Sequence, residues 1–197
     1  MSTTAKPSAA ARIRQTAAEL FYRAGIRAVG VDEIVHRAGV TKPSLYRAFS
    51  SKDELAATYL RDYCDAFWGR FDAARAAHPG DPRAQILAFL RGVGERAMRD
   101  GYRGCGLTNA AVEYPEAGHP ARLVSEAHKR QLRATLREMA AAMGATDPAA
   151  LGDGLLLLME GVFVSGQIFG DGGPAGAAAA NAEKLIDAWV PVSGRPG

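Results

Sequence analysis

The sequence lacks several features that mark whole classes of protein. It has two cysteines in 197 residues, too few for the disulfide framework of a small secreted scaffold. Its histidines and cysteines form no pair at a recognisable ligand spacing, so we expect no metal site. The longest apolar run, Leu155–Met159, ends at Glu160, whereas a helix that spans a bilayer needs about 20 apolar residues.

Motifs of catalysis and of export are missing as well. We find no nucleophile elbow, no phosphate-binding loop and no paired-carboxylate motif, and no stretch alternates apolar and polar residues as a strand would. No N-terminal apolar stretch resembles a signal peptide. We therefore expect an all-α protein of the cytoplasm that is not an enzyme, uses no cofactor and does not enter a membrane.

The positive charge is concentrated at one end of the chain. The net charge is +3, but residues 1–52 hold nine lysines and arginines against three aspartates and glutamates, a balance of +6. The remaining residues have a balance of −3. Because the phosphates of nucleic acids attract cations, we expect the N-terminal end to be the part that meets DNA.

The stretch Val31–Phe49 predicts two short helices joined by a tight turn. Ile34, Val35 and Ala38 share one face of the first of these helices. Gly39 follows, at the position where a helix end commonly needs a left-handed residue, a conformation that glycine adopts without steric cost. The turn is therefore expected to begin at Gly39.

The second of these helices begins with its own signals. Thr41 is placed to cap it, and Pro43 lies in its first turn, where a missing N–H costs little. Leu45 and Phe49, four residues apart, are expected to return an apolar face to the first helix. The polar residues on or near the other surface are Lys42, Ser44, Tyr46 and Arg47. Cationic and hydroxyl groups on the second helix of such a pair suit the DNA major groove.

Helical periodicity continues through the rest of the chain. Residues 1–11 are expected to be a flexible arm, followed by a first helix from Arg12 to Ala24. After Ser51, a leucine and four aromatic residues recur every four positions, and no breaker appears before Pro79, which predicts a helix of about seven turns. Further helices are expected to begin at Pro82, Leu107, Pro120, Pro148 and Ala175. The predicted domains of this chain of about nine helices are a helix-turn-helix domain at 12–51, a larger helical domain at 52–190 and a flexible tail at 191–197.

Two of the later helices have distinctive faces. The helix from Pro120 carries an apolar stripe, and the charges on its other face are expected to be solvated. These charges are Arg122, Glu126, Lys129, Arg130, Arg133 and Arg137. The helix from Pro148 is apolar over so much of its circumference that we expect burial on several sides, with Phe169 on the buried face.

Over roughly residues 12–60 the chain resembles the N-terminal domain of the TetR family of bacterial transcriptional regulators. The matching elements are Gly25, Ile34, Ala38–Val40, Lys42, Leu45, Tyr46, Phe49, Ser51 and Lys52. The DNA-contacting set that the resemblance implies is Thr41, Lys42, Pro43, Ser44, Tyr46, Arg47 and Lys52. Lys42, Tyr46 and Lys52 match positions that contact phosphates. Arg47 is the candidate for a base contact, because its guanidinium fork fits O6 and N7 of guanine.

The rest of the chain is similar in layout to the family's ligand-binding and dimerisation domain. The resemblance implies a homodimer joined through the last two long helices. It also implies a small-molecule pocket between these dimer helices and the long fourth helix, and release of DNA when the ligand binds. Gly104–Asn109 is similar to a Gly-Cys-x-x-x-Asn element found in one branch of the family. The side chains expected to line the pocket are Phe67, Phe71, Phe89, Met98, Cys105, Asn109, Met159, Phe163 and Gln167.

The predicted function is that of a transcriptional repressor released from its double-stranded DNA operator by a small molecule. Two alternatives stay open. Cys105 lies in a glycine-rich loop near Arg103, a cation that would favour a reactive thiolate and therefore an electrophile or oxidant sensor. Val29 and Gly30 stand where the family usually has threonine, and the second alternative is a ligand binder with a vestigial DNA-binding head.

Overall fold

The computed structural model describes residues 7–191, and these residues form nine α-helices and no strand. The predicted all-α fold with about nine helices is therefore confirmed for this part of the chain. The helices are α1 (Ala9–Ala24), α2 (Val31–Ala38), α3 (Lys42–Ala48), α4 (Lys52–Ala77), α5 (Pro82–Ala97), α6 (Gly106–Glu113), α7 (Pro120–Ala142), α8 (Pro148–Phe169) and α9 (Ala178–Trp189), with a short 3₁₀ helix at Pro174–Ala177.

Side-chain caps set where three of the helices begin. The Ser8 hydroxyl accepts a hydrogen bond from the backbone N–H of Ala11, so α1 begins at Ala9, three residues earlier than predicted. Asp81 and Asp147 cap α5 and α8 in the same way, each with a carboxylate oxygen 2.9 Å from a backbone nitrogen. Residues 1–6 of the predicted arm and residues 192–197 of the predicted tail lie outside the described residues.

Two other predicted helix limits are displaced. The last helix begins at Ala178 rather than Ala175, because the residues from Pro174 form the 3₁₀ turn. Phe49 lies one residue beyond α3 with an extended backbone, and it is half-buried. Leu45 is therefore the residue that anchors α3 to the core, and it is fully buried.

The described chain divides into two compact units. The first unit comprises residues 7–64 and 105–126, and the second comprises residues 65–104 and 127–191. This division falls inside α4 and α7, so each of these helices contributes residues to both units. It differs from the predicted boundary at residue 52 because the start of α4, all of α6 and the start of α7 cluster with α1, α2 and α3. The predicted division by function stays a prediction.

In the first unit, α1, α2 and α3 pack against one another in a three-helix arrangement. Its buried apolar side chains include Ile13, Leu20, Phe21, Ile34 and Leu45. Val29, just before α2, is 1% exposed and belongs to the same core. Val29, which stands where the resemblance leads one to expect threonine, therefore packs in the core with an apolar side chain.

In the second unit, α5, α8 and α9 pack against one another. The largest of their buried side chains are Ile86, Phe89, Leu90, Leu155, Met159, Phe163 and Ile186. Gly152 lets α8 approach α7 closely, because a Cβ at this position would lie 2.7 Å from the backbone nitrogen of Arg137. A larger residue would therefore force the two helices apart.

Charged residues of α7 in the second unit are paired with α8. Lys129 forms an ion pair with Glu160, while Arg133 and Arg137 both donate hydrogen bonds to the Asp153 carboxylate at 2.7–2.8 Å. Hydrogen bonds from these two guanidinium groups hold the pKa of Asp153 well below its usual range. The expectation of a merely solvated face is wrong for these residues, since α8 supplies their partners.

α8 exposes part of its apolar surface in the single chain. Leu157 is 72% exposed, Ile168 68% and Phe169 60%, and Val164 is also exposed. The prediction that Phe169 lies on a buried face is therefore wrong, and the burial of α8 on several sides is not reached within one chain. Phe169 is the last residue of the helix, where Gly170 turns the chain away.

Among the described helices, α8 is the one whose length and composition would suffice to cross a membrane. The run Leu155–Met159 alone did not indicate this. Asp153 and Glu160 lie within the helix and are ion-paired with α7, and α8 packs on α5 and α9. These contacts are those of a core helix in a helical unit.

Candidate nucleic-acid interface and effector site

The turn between α2 and α3 is held by a left-handed glycine. Gly39 has φ 61° and ψ 44°, as the sequence predicted, and its N–H donates to the His36 carbonyl while Val40 donates to Val35. Arg12 of α1 closes the turn from outside, donating to the carbonyl oxygens of Ala38 at 3.1 Å and of Gly39 at 3.4 Å. Carbonyls left free at the end of α2 are thus satisfied by a residue that the sequence did not identify.

The start of α3 follows the predicted capping pattern. The Thr41 hydroxyl accepts a hydrogen bond from the Ser44 backbone N–H at 3.4 Å and lies 3.0 Å from the Ser44 hydroxyl. Pro43 occupies the first turn of the helix. Thr41 and Ser44 are therefore engaged in the structure of the helix end, in addition to any contact with DNA.

A polar surface remains on α3 once Leu45 is buried. We call Lys42, Ser44, Tyr46 and Arg47 the α3 surface. Tyr46 is 51% exposed, Lys42 and Arg47 are also exposed, and Ser44 is half-buried. The Lys42 ammonium lies 2.8 Å from the carboxylate of Asp32 on α2, and this hydrogen bond raises the pKa of Lys42. The α3 surface thus offers cationic and hydroxyl groups to a partner, with one cation partly neutralised by its neighbour.

Lys52 lies at the start of α4 and is held close to the loop between α1 and α2. Its ammonium donates to the Arg27 carbonyl at 3.3 Å, and burial lowers its pKa. The preceding residue, Ser51, accepts the backbone N–H of Glu54, whose carboxylate in turn accepts the backbone N–H of Ser50 at 2.6 Å. Lys52 is thus a positioned cation at the edge of the first unit.

The α1–α2 loop is tied to the end of α6 within the first unit. The Glu113 carboxylate accepts the Arg27 backbone N–H at 2.8 Å, and the Arg27 guanidinium donates to the Glu113 carbonyl at 2.9 Å. Gly25 permits this approach, with φ 90° and a Cβ position only 3.0 Å from the Glu113 carboxylate. No local sequence signal pointed to Arg27 or Glu113, since the two residues are 86 positions apart.

The predicted effector residues do not form one group. Phe67, Phe71 and Phe89 are buried together in the second unit, with ring centroids 4.8 and 5.2 Å apart for the two pairs that involve Phe89. Met159 and Phe163 are also buried there, and Met98 is half-buried. Part of the predicted pocket lining is therefore packed core of the second unit.

Gln167 is exposed, and its side chain packs on Gly104. A Cβ at Gly104 would collide with the Gln167 side-chain nitrogen, and Gly104 has φ 76°. Gln167 therefore secures the glycine-rich loop rather than lining an enclosed space. Asn109 belongs to the first unit, one turn into α6.

Cys105 also belongs to the first unit, where it immediately precedes α6 and is 1% exposed. The adjoining Gly106 lies against Tyr59, since a Cβ on Gly106 would be 2.6 Å from the tyrosine hydroxyl. A thiol packed this closely is poorly accessible to a dissolved electrophile. Its burial counts against the sensor hypothesis.

The second unit contains a cavity of about 300 Å³ between α8 and the segment that leads into α9. Its lining residues are Leu157, Leu158, Gly161, Val162, Ser165, Pro174, Ala175, Ala178 and Asn181. None of the predicted effector residues is among them. This cavity adjoins the exposed apolar side of α8, where Leu157 lies.

The buried aromatic side chains of the second unit enclose a histidine that the sequence did not single out for this role. The His128 ring lies edge-on to Phe67, with centroids 4.7 Å apart, and 5.5 Å from the Trp68 ring. We call His128, Phe67, Trp68, Phe71 and Phe89 the His128 cluster. The aromatic spacing on α4 signalled part of this cluster, but nothing local indicated that a histidine of α7 completes it.

Comparisons with known proteins match a short N-terminal segment to a family model and most of the chain to solved structures. Residues 13–59 match the family model described as bacterial regulatory proteins, tetR family. The chain is 32% identical to SCO4454, a TetR-family transcriptional regulator from Streptomyces coelicolor, over 93% of this chain and 96% of that one, with a TM-score of 0.85. It is also 32% identical to the sav143 protein of Streptomyces avermitilis, over 93% of this chain and 98% of that one, with a TM-score of 0.82.

Curated relatives match over shorter segments. The chain is 51% identical over 49 residues to the HTH-type transcriptional activator FasR of Mycolicibacterium smegmatis, which is 25% of this chain and 22% of that protein. It is 39% identical over 57 residues to the HTH-type transcriptional repressor KstR2 of the same species, which is 29% of this chain and 28% of that protein. The match thus spans less than a third of each of these two proteins.

Proposed function

The chain belongs to the TetR family of bacterial transcriptional regulators, and on that premise we propose that it is a cytoplasmic repressor. It binds a double-stranded DNA operator as a homodimer and leaves that operator when a small molecule binds. The DNA-binding segment is the part that carries the family match at residues 13–59. KstR2, one of the relatives, is a repressor, whereas FasR is an activator.

The observation that supports DNA binding most strongly is the α3 surface. Leu45 fixes one side of this helix in the core, and Lys42, Tyr46 and Arg47 are exposed around it. A second helix fixed in this way is suited to enter a major groove with its polar side chains against base edges and phosphates. The +6 balance of residues 1–52 adds a general attraction to the DNA backbone.

We assign different roles to the polar residues of this region. Arg47 reads a base, because its exposed guanidinium can engage guanine in a bidentate manner. Lys42, Tyr46 and Lys52 contact phosphates, which position the helix without reading sequence. Thr41, Pro43 and Ser44 complete the contact segment at the start of α3, where Thr41 and Ser44 already hold the helix end.

The apolar surface of α8 supports a homodimer. Leu157, Val164 and Ile168 are spaced seven and four residues apart, so they follow one face of the helix, and all three are exposed in the single chain. An exposed apolar stripe of this kind marks an interface. In a symmetric dimer each copy would present α8 and α9 to the other, and the two α3 helices would enter successive major grooves about 34–36 Å apart.

The effector acts in the second unit and weakens DNA binding by the first. Both α4 and α7 run without a break from residues of one unit to residues of the other. Coupling between two sites of a protein is typically about 1–3 kcal/mol, which is roughly a 5- to 150-fold change in affinity. At saturation, an effector with coupling of this size would weaken operator binding by that factor.

A DNA titration tests this proposal. Duplexes selected from a random-sequence pool by the full-length protein are titrated by fluorescence anisotropy against a scrambled duplex. We expect Arg47→Ala to lose affinity for the selected duplex by about 1–3 kcal/mol while binding to the scrambled duplex changes little. Arg75→Ala is the matched control, since Arg75 is an exposed arginine of the second unit. Failure to select any preferred duplex, or equal losses in the two variants, contradicts the proposal and favours a vestigial DNA-binding head.

A further inference from the structure

His128 is a buried polar residue whose side chain forms no hydrogen bond within the described part of the chain. Its side chain is 3% exposed, and neither Nδ1 nor Nε2 has a hydrogen-bond partner among the described residues. Buried polar groups in proteins are normally paired, and an unpaired donor or acceptor costs about 1–3 kcal/mol. An apolar side chain of similar size would avoid this cost. The presence of an imidazole here therefore points to a function for His128.

The side chains around His128 are apolar and aromatic. Phe67 and Trp68 lie against the imidazole, and Phe89 packs on both Phe67 and Phe71. All five residues of the His128 cluster belong to the second unit. Aromatic side chains around a single polar group are a composition that small-molecule sites often have.

The charge near His128 argues for an uncharged partner. Burial, with a smaller contribution from Lys129, lowers the pKa of His128 to about 4, so the ring is neutral at pH 7. The neighbouring Lys129 ammonium is paired with Glu160 and lies 5.2 Å from the Phe163 ring. An ion that entered this cluster of aromatic rings would lose its hydration, which is costly for a carboxylate or an ammonium group.

A metal ion does not account for the histidine either. The described residues contain no group of three histidine, cysteine, aspartate or glutamate side chains placed to hold a metal. A lone imidazole surrounded by phenylalanine and tryptophan rings is a poor metal site. A neutral imidazole can instead form a directed hydrogen bond.

We propose that His128 is the hydrogen-bonding residue of an effector site for an uncharged, largely apolar molecule with a hydroxyl group, of the phenol class. The proposal rests on the proposed function in that it names the ligand class of the effector site. A neutral imidazole has one N–H donor and one bare acceptor nitrogen, and a phenolic hydroxyl both donates and accepts. The phenolic hydroxyl can therefore form a hydrogen bond with either nitrogen of the His128 imidazole. The ring of the phenol can pack against the aromatic side chains of the cluster.

The direct test uses 4-ethylphenol as the probe and 4-ethylanisole, its methyl ether, as the matched compound that cannot donate a hydrogen bond. Both are titrated into the full-length protein without DNA by calorimetry and by tryptophan fluorescence, since Trp68 lies in the cluster. Two-bond ¹H–¹⁵N spectra report the His128 nitrogens. We expect the phenol to bind about tenfold or more tightly than the ether and to shift one His128 nitrogen, because a missing hydrogen bond of about 1.4 kcal/mol is a factor of ten.

Two variants make the test specific. His128→Leu is expected to bring the two probes to equal affinity, whereas His128→Gln, which keeps a donor and an acceptor, preserves part of the preference for the phenol. If His128→Leu does not fold, the comparison of the two probes on the wild-type protein and the ¹⁵N shifts still decide. Equal affinity for both probes, no binding of the phenol, or His128 nitrogens unmoved at saturation overturns the proposal. Because no DNA is present, these outcomes are independent of operator binding.

Discussion

The α3 surface of the first unit and the His128 cluster of the second unit differ in whether their polar side chains are exposed to solvent. On α3, Lys42, Tyr46 and Arg47 are exposed to solvent, and Lys42 also forms an ion pair with Asp32. In the cluster, His128 is buried without a protein partner among the described residues. The first arrangement suits a large, charged partner that is read through a surface, and the second suits a small, uncharged one that is enclosed.

The largest expected effect separates the core of the first unit from its surface. Leu45→Ala removes a fully buried side chain and should lower the free energy of unfolding by about 2–5 kcal/mol. The adjacent Tyr46→Ala removes an exposed side chain and should change it by no more than about 0.5 kcal/mol, while it weakens DNA binding. Urea denaturation and DNA titration of both variants make the check. Similar destabilisation by the two changes would mean that Tyr46 is part of the core.

The next largest expected effect is the loss of folding stability at acid pH that the buried His128 causes. At pH values well above 6.5, His128 is neutral in both the folded and the unfolded chain and adds no pH dependence. Between about pH 6.5 and 4 the unfolded chain binds a proton that the folded chain does not, so stability falls as the pH falls. The full loss from this residue, reached below about pH 4, is about 3 kcal/mol.

Urea denaturation from pH 7 to 4 measures this loss. Because other groups also titrate, the quantity to compare is the difference between the wild-type protein and His128→Leu. We expect the variant to lose less stability over this range and to be the more stable of the two at pH 4. A parallel decline in both proteins would show that His128 is protonated as easily in the folded chain as in the unfolded one.

A smaller effect is expected at the start of α3. Thr41→Ala removes the hydroxyl that accepts the Ser44 N–H and should cost about 1 kcal/mol of stability. Thr41→Ser keeps the cap and serves as the matched control. Thermal denaturation distinguishes the two variants, and an unchanged midpoint for Thr41→Ala would show that the cap contributes nothing measurable.

The smallest effect belongs to the exposed ion pair between Lys42 and Asp32. Surface pairs of this kind contribute about 0–1 kcal/mol, so Asp32→Ala should leave stability almost unchanged. It should also raise DNA affinity at low salt, because the Lys42 ammonium is then free for a phosphate. Glu33→Ala, which breaks the neighbouring pair with Arg37, is the control for a change of net charge. An equal increase in DNA affinity in both variants would show that the change in net charge, and not the release of Lys42, causes the effect.

The contrast between the two regions also explains what the sequence could predict. Gly39, Thr41 and Pro43 act within a few residues of their own positions, so their roles at the α2–α3 turn were visible as local patterns and are confirmed. The position of Leu45 followed from periodicity in the same way. The DNA contacts assigned to the α3 surface remain a prediction.

Long-range contacts were not predictable in this way. Arg27 meets Glu113 across 86 positions. Arg137 meets Asp153 where the small Gly152 allows α8 to lie close to α7. The His128 cluster combines residues of α4, α5 and α7, so the lack of a hydrogen-bond partner for His128 among the described residues depends on side chains from all three helices. The exposure of Phe169 on α8 has the same origin, because periodicity identifies an apolar face without identifying its partner.

The salt dependence of DNA binding tests the central claim, that the first unit contacts DNA through α3, most directly. The dissociation constant of the selected duplex is measured across a range of salt concentrations for the wild-type protein, Lys42→Ala and the second-unit control Arg75→Ala. We predict that the logarithm of the dissociation constant depends linearly on the logarithm of the salt concentration. The slope should be smaller in Lys42→Ala by roughly 1 for each phosphate that Lys42 neutralises, and it should be unchanged in Arg75→Ala. Identical slopes for Lys42→Ala and the wild-type protein would contradict the account.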